Sequence, residues 1–167
     1  MKRSGFASLA LVLALLTSGC LYSLSGGGGL PKHVRTVAVI PFENETASPE
    51  LTGELHQELR KAMADRLGLR DAAERRAHAV VTGKITSYEA DVPIAFSADP
   101  TRATSARRRL QLRVDVRIED RTTGRVLFER SGISAEGEYA EREEATGRKQ
   151  AIQRIVNDIV EGAQSQW

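Results

Sequence analysis

The chain predicts an α/β (α+β) two-layer sandwich, a mixed sheet of about four strands with two helices on one face, in the order β-α-β-β-β-α. Three observations lead there. Leu110, Leu112, Val114, Val116 and Ile118 alternate strictly with Arg109, Gln111, Arg113, Asp115, Arg117 and Glu119, the period-two signature of a half-buried strand. Leu51, Leu55, Leu59, Ala62, Met63 and Leu67 recur at spacings of three and four, as an amphipathic helix requires. Ala145, Ile152, Ile155, Val156, Ile159, Val160 and Ala163 draw a second such stripe. Two amphipathic helices need one sheet face to bury against, which leaves the opposite face polar and available.

In chain order, residues 1–19 read as a lipoprotein signal peptide, outside the fold. Met1-Lys2-Arg3 is basic, Phe6 to Leu16 is an apolar run of about 11 residues, too short to span a bilayer, and Thr17-Ser18-Gly19 is small. Cys20 follows at once, and a thiolate there can carry a thioether-linked lipid once processing exposes it as the new N-terminus. Lipoprotein signals usually place an aliphatic residue where Thr17 stands; here Leu16 lies one step further out. The alternative is an ordinary signal peptide cut near Gly19, leaving a lone thiol open to oxidation or intermolecular pairing. Cys20 is the only cysteine, so no disulfide framework is expected. Lys2 and Arg3 make up the whole excess of 24 basic over 22 acidic side chains, so the mature domain is neutral. Overall charge therefore argues for neither nucleic acid nor a membrane surface.

Residues 20–30, with Gly26 to Gly29, read as a tether, and residues 31–167 as one domain. Val34 to Ile40, closed by Pro41, suits a central strand that is apolar on both faces. Ser48 and Pro49 supply a helix start, with Ser48 as cap, and Gly68 a stop. Ala77 to Tyr88 alternates as a strand. Asp91 to Ser105, with Pro93 and Pro100, reads as a long loop of the kind that often binds a ligand. The strand at 109–119 should pair with Val126 to Ala135 as an antiparallel hairpin, with a bulge near Gly132, where the apolar parity changes. Glu141, Glu143 and Glu144 suit the positive end of the last helix.

Catalytic chemistry has few candidates. His33, His56 and His78 occur singly, with no second histidine or cysteine at metal-ligand spacing, so neither a metal, a cofactor nor an enzyme is expected. The one charge anomaly is Arg102, Arg107, Arg108, Arg109, Arg113 and Arg117, relieved up to Arg117 only by Asp115. Guanidinium forks suit phosphate, so this stripe is a candidate polyanion site; the alternative is a solvated sheet face paired with Glu129 or a neighbouring strand. Aromatic interleaving for nucleic acid is missing.

Several segments belong together: Cys20-Leu21-Tyr22-Ser23-Leu24-Ser25-Gly26, Leu30-Pro31, Val37-Ala38-Val39-Ile40-Pro41-Phe42-Glu43-Asn44-Glu45-Thr46, Ala77 to Ile85, Leu110 to Ile118, and Thr123-Gly124-Arg125-Val126-Leu127. Together they resemble the LptE family of lipopolysaccharide-assembly lipoproteins. Leu21 stands where family members usually have glycine. The resemblance implies an outer-membrane lipoprotein on the periplasmic face, anchored through lipidated Cys20. It would plug and support assembly of an LptD-type β-barrel and help carry lipopolysaccharide to the cell surface. It also gives the basic stripe a ligand, making Arg107, Arg108, Arg109 and Arg113 candidates for lipopolysaccharide phosphates. Leu21, in place of aspartate after the cysteine, implies release to the outer membrane by the family rule. The rival resemblance is to other periplasmic lipoprotein scaffolds, CsgG-like secretion components or activators of cell-wall synthases, which also carry a Val-Ala-Val-x-Pro-Phe strand.

Overall fold

The computed structural model describes residues 30–95, 107–140 and 142–165. The signal peptide, Cys20, the glycine-rich tether, Arg102 and most of the expected 91–105 loop lie outside the described residues. The elements are β1 (Thr36–Val39), β2 (Glu43–Asn44), α1 (Glu50–Leu67), β3 (Arg70–Asp71), a 3-10 helix (Glu74–Arg76), β4 (Ala79–Ala95), β5 (Arg107–Asp120), β6 (Arg125–Tyr139) and α2 (Glu144–Ser165). They form one mixed sheet in the order β3-β1-β4-β5-β6, with β2 also paired to β4. The sheet therefore has six strands, not about four. The two additions, β2 and β3, are two residues long, and each exists only because a parallel neighbour supplies hydrogen-bond partners.

β1 runs parallel to both β3 and β4, a pairing that needs a crossover, and α1 provides it between β1 and β3. Leu51, Leu55, Leu59 and Met63 are fully buried, as their stripe predicts. Gly68 ends α1 in the left-handed conformation at φ 65°, with its N–H bonded to Ala64 O. The start differs from expectation: Pro49 is the cap residue and no side chain caps the helix. Asn44 organises the turn instead. Its Oδ1 accepts from Thr46 N at 2.9 Å, and its Nδ2 donates to Ser48 O at 2.8 Å. On α2, Ala145 is exposed, and Gly147 and Ala151 are buried in the stripe instead.

β4 continues to Ala95, so the expected loop begins as strand. The bulge near Gly132 is present. Val114 pairs with Ile133 but Val116 with Arg130, and Gly132 takes φ 69°, with its N–H on Asp115 Oδ1 at 2.7 Å.

The helix-facing side of the sheet (Val37, Val39, Ala79, Val81, Ile85 and the apolar even residues of β5, Leu110 to Ile118) joins both helices in one core. The opposite side is polar along β4 to β6. Near β1, however, Ala38, Ala77 and Val80 form a second small cluster, with Ile40 and Ala72 against it. At that end Asp120, 1% exposed, closes the β5–β6 turn. It accepts from Thr122 N at 2.8 Å and from Thr123 Oγ1 at 2.7 Å, and it holds His33 Nε2 at 2.7 Å. Burial alone would raise the Asp120 carboxyl, but the hydrogen bonds from Thr123, His33 and Thr122 outweigh it and hold the group well below the usual carboxylate range.

Candidate functional site

Alternation along β5 sends neighbouring arginines to opposite sides of the sheet. Arg107, Arg109, Arg113 and Arg117 share the open face, whereas Arg108 shares the parity of Leu110 and Leu112 and faces the helix layer opposite Tyr139. β6 supplies the counter-charges. Arg107 lies 3.8 Å from Glu138, Arg109 lies 3.3 Å from Glu136, and Arg117 Nη1 donates to Glu129 at 3.0 Å with Glu119 also 3.5 Å away. The carboxylates of Glu129 and Glu119 hold the Arg117 guanidinium above its ordinary pKa. Arg113 sits between Ser87 and Ser134 and forms no ion pair among the described residues. The structure thus keeps Arg107 and Arg109 on one face at one end of β5 and turns Arg108 to the other; of the three, Arg107 lines the cleft there. Arg113 stands about 13 Å beyond Arg109 along the strand. Glu136 and Glu138, the partners of Arg109 and Arg107, escape a reading that ends this strand at Ala135, whereas Glu129 lies within it. Gly137 breaks the apolar alternation there, although Glu136 and Glu138 keep its polar parity.

At the Arg107 end a cleft of about 530 Å³ opens between the strand ends and α2, lined by Arg107, Glu138, Tyr139, Ala140, Glu143, Thr146 and Gln150. The first turn of α2 borders it and contributes the partial positive charge of a helix N-terminus. Two features fix α2 in this position. Gly137 and Gly147 let β6 and α2 meet backbone to backbone, since a Cβ on Gly137 would fall 1.9 Å from Gly147 O. Arg148, 14% exposed, then clamps three elements. It donates to both oxygens of Glu54 on α1 at 2.9 and 3.0 Å, and lies 3.4 Å from Glu50 and from Glu144. Tyr88 of β4 completes the network by donating to Glu144 at 2.5 Å. Burial, together with that bond, pushes the Tyr88 phenol above its ordinary pKa, so it stays a donor.

This end can therefore take a ligand that offers phosphate to guanidinium and hydroxyls to Glu138, Glu143, Thr146 and Gln150. Two of the three histidines make hydrogen bonds within the fold, and His56 Nδ1 is buried with no hydrogen-bond partner among the described residues. His33 serves Asp120, and His78 Nδ1 accepts from Arg35 N at 3.3 Å and lies 3.0 Å from Thr36 Oγ1. No cluster of three or more metal-ligating side chains occurs among the described residues, and no described helix is long and apolar enough to cross a membrane.

Comparison with known proteins fits this architecture. No curated protein sequence matches the chain. Among solved structures, a hypothetical protein of Chlamydia trachomatis superposes with a TM-score of 0.55 at 14% identity, covering 78% of this chain and 95% of that one. The PelC dodecamer protein of Paraburkholderia phytofirmans does so with a TM-score of 0.53 at 13% identity, covering 83% and 93%. At such identities these likenesses concern the fold alone. The family model for LptE, described as lipopolysaccharide assembly, matches residues 34–161, from the entry to β1 almost to the end of α2. The chain belongs to the LptE family of lipopolysaccharide-assembly proteins.

Proposed function

We propose that this protein is an outer-membrane lipoprotein, lipidated at Cys20 and held on the periplasmic face, that plugs and supports assembly of an LptD-type β-barrel. In that position it takes part in moving lipopolysaccharide to the cell surface. The observation that carries the reading is the family match over residues 34–161, which takes in nearly the whole described fold. The role assigns no reaction to the chain; it needs a rigid domain, a partner and a ligand surface.

The ligand surface is the Arg107 end. Arg107 and Arg109 approach from the open face and Arg108 from the helix face, so three guanidinium groups surround the strand end beside the cleft. Lipopolysaccharide carries phosphates for these groups and sugar hydroxyls for the cleft's polar rim. Arg113, with no ion pair among the described residues, is the outlying contact, within the span of a large glycolipid. Binding at Arg107 and Arg109 must compete with Glu138 and Glu136, so affinity should depend strongly on salt.

The test is direct binding of purified lipopolysaccharide to the protein and to its Arg107→Ser/Arg108→Ser/Arg109→Ser variant across a salt series. The variant should bind about tenfold or more weakly at low salt, roughly 1.4 kcal/mol, with the gap closing as salt rises. Equal binding at low salt would contradict the arginine assignment.

A further inference from the structure

The end of the domain from which the chain runs back toward residue 20 carries an excess of positive charge that the neutral composition hides. His33 pins this entry against Asp120. Backbone hydrogen bonds draw in segments distant in sequence: Arg70 N donates to Arg35 O at 3.1 Å, Ala72 N to Val37 O at 3.0 Å, just before the 3-10 helix, and Arg121 N to His78 O at 2.8 Å. Lys32, Arg35, Arg70, Arg75 and Arg76, all exposed, thereby gather at one end of the sheet. The carboxylates beside them are engaged. Asp71 takes Arg60 at 2.7 and 3.2 Å, Glu74 faces Arg121 at 3.6 Å, and Asp120 holds His33. Among the described residues no ion pair engages any of the five cations.

We propose that this end is a docking surface for an anionic phospholipid bilayer, with the five cations lying against headgroup phosphates. Two independent observations favour that occupant. The charge is complementary and unspent, unlike that of Arg107, Arg109 and Arg117, which are matched by glutamates on β6. The chain also leaves from this same end: from Leu30 back to Cys20 it can reach ~35 Å if extended and ~18 Å as a coil. A lipid on Cys20 would hold these cations near the membrane, and a basic patch is the kind of second signal that reinforces acyl anchoring. The place in the cell rests on the lipoprotein reading above; the binding itself does not.

Among the described residues the core is drawn from Val34 to Ala163, all of it within the chain from residue 20 onward. That chain, with Cys20→Ser to remove thiol and lipid, is mixed with phosphatidylcholine vesicles, either pure or containing about one-third phosphatidylglycerol. It should bind the anionic vesicles, release as salt rises, and ignore the neutral ones. Each cation near such a surface multiplies binding roughly fivefold, so Arg35→Ser/Arg70→Ser/Arg75→Ser/Arg76→Ser should weaken it by roughly several hundredfold. If that variant melts below its parent, Arg75→Ser/Arg76→Ser alone serves, with roughly a tenfold or greater loss expected. Equal binding to both vesicle types, no binding to the anionic ones, or no effect of the substitutions would overturn the proposal. If the same cations proved necessary instead for retention by a protein partner, the surface would be a protein interface. The Arg107→Ser/Arg108→Ser/Arg109→Ser variant should keep its vesicle binding, so failure here and failure of the lipopolysaccharide reading are separate results.

Discussion

At the Arg107 end of β5, Arg107 and Arg109 face glutamates of β6; at the Asp120 end, about 40 Å away, cations gathered from the chain entry, β3 and the 3-10 helix face none. The contiguous run of arginine that dominates the sequence is the more neutralised of the two. The dispersed cations, separated by up to dozens of residues in sequence, are the unneutralised ones. Charge density along a chain and charge density on a surface are different quantities, and strand pairing converts one into the other. The two ends are also held differently. Close backbone contact and an ionic clamp fix the Arg107 end, whereas a single buried carboxylate closes the Asp120 end.

Gly137→Ala should break the first end most severely. The added methyl would meet Gly147 O at 1.9 Å, a clash of backbone with backbone, so a loss of about 3 kcal/mol or more is expected by urea unfolding, at the upper range for overpacking. Arg148→Met should cost less, about 2 kcal/mol, below the range for a fully buried pair because its partners are 41% exposed. Adding Glu54→Gln should recover part of that loss in a double-mutant cycle, since it removes one uncompensated carboxylate.

The Asp120 end should show its effect through pH. The Asp120 carboxyl titrates below its unfolded value, so its stabilisation is complete above about pH 4 and is lost as pH falls toward the folded value. Asp120→Asn should cost about 1 kcal/mol at neutral pH and flatten the decline in melting temperature below about pH 4. An unchanged acid slope would remove Asp120 from its role as the turn anchor.

The sequence showed the core more clearly than the site. The alternation of β5 reappears residue for residue as buried positions, and so does the α1 stripe at Leu51, Leu55, Leu59 and Met63, with Ala62 and Leu67 partly buried at its edge, because periodicity records which side of an element meets the core. Gly68 and Gly132 were also legible, since a left-handed backbone leaves glycine as its mark. β2 and β3 were not, because two residues carry no period and depend on a parallel neighbour. Ser48 resembled a cap, but tertiary placement gave Asn44 the polar work of that turn. The pairing of Arg109 with Glu136 lies beyond where the apolar pattern of β6 lapses at Gly137, and the cations of the opposite end meet only through the β1–β3 register.

The most direct test of the family role is the partner. Affinity purification of the full chain from detergent-solubilised outer membranes should recover it with one large β-barrel protein in stable association. Recovery of the protein alone, or as a large homo-oligomeric ring, would contradict the account.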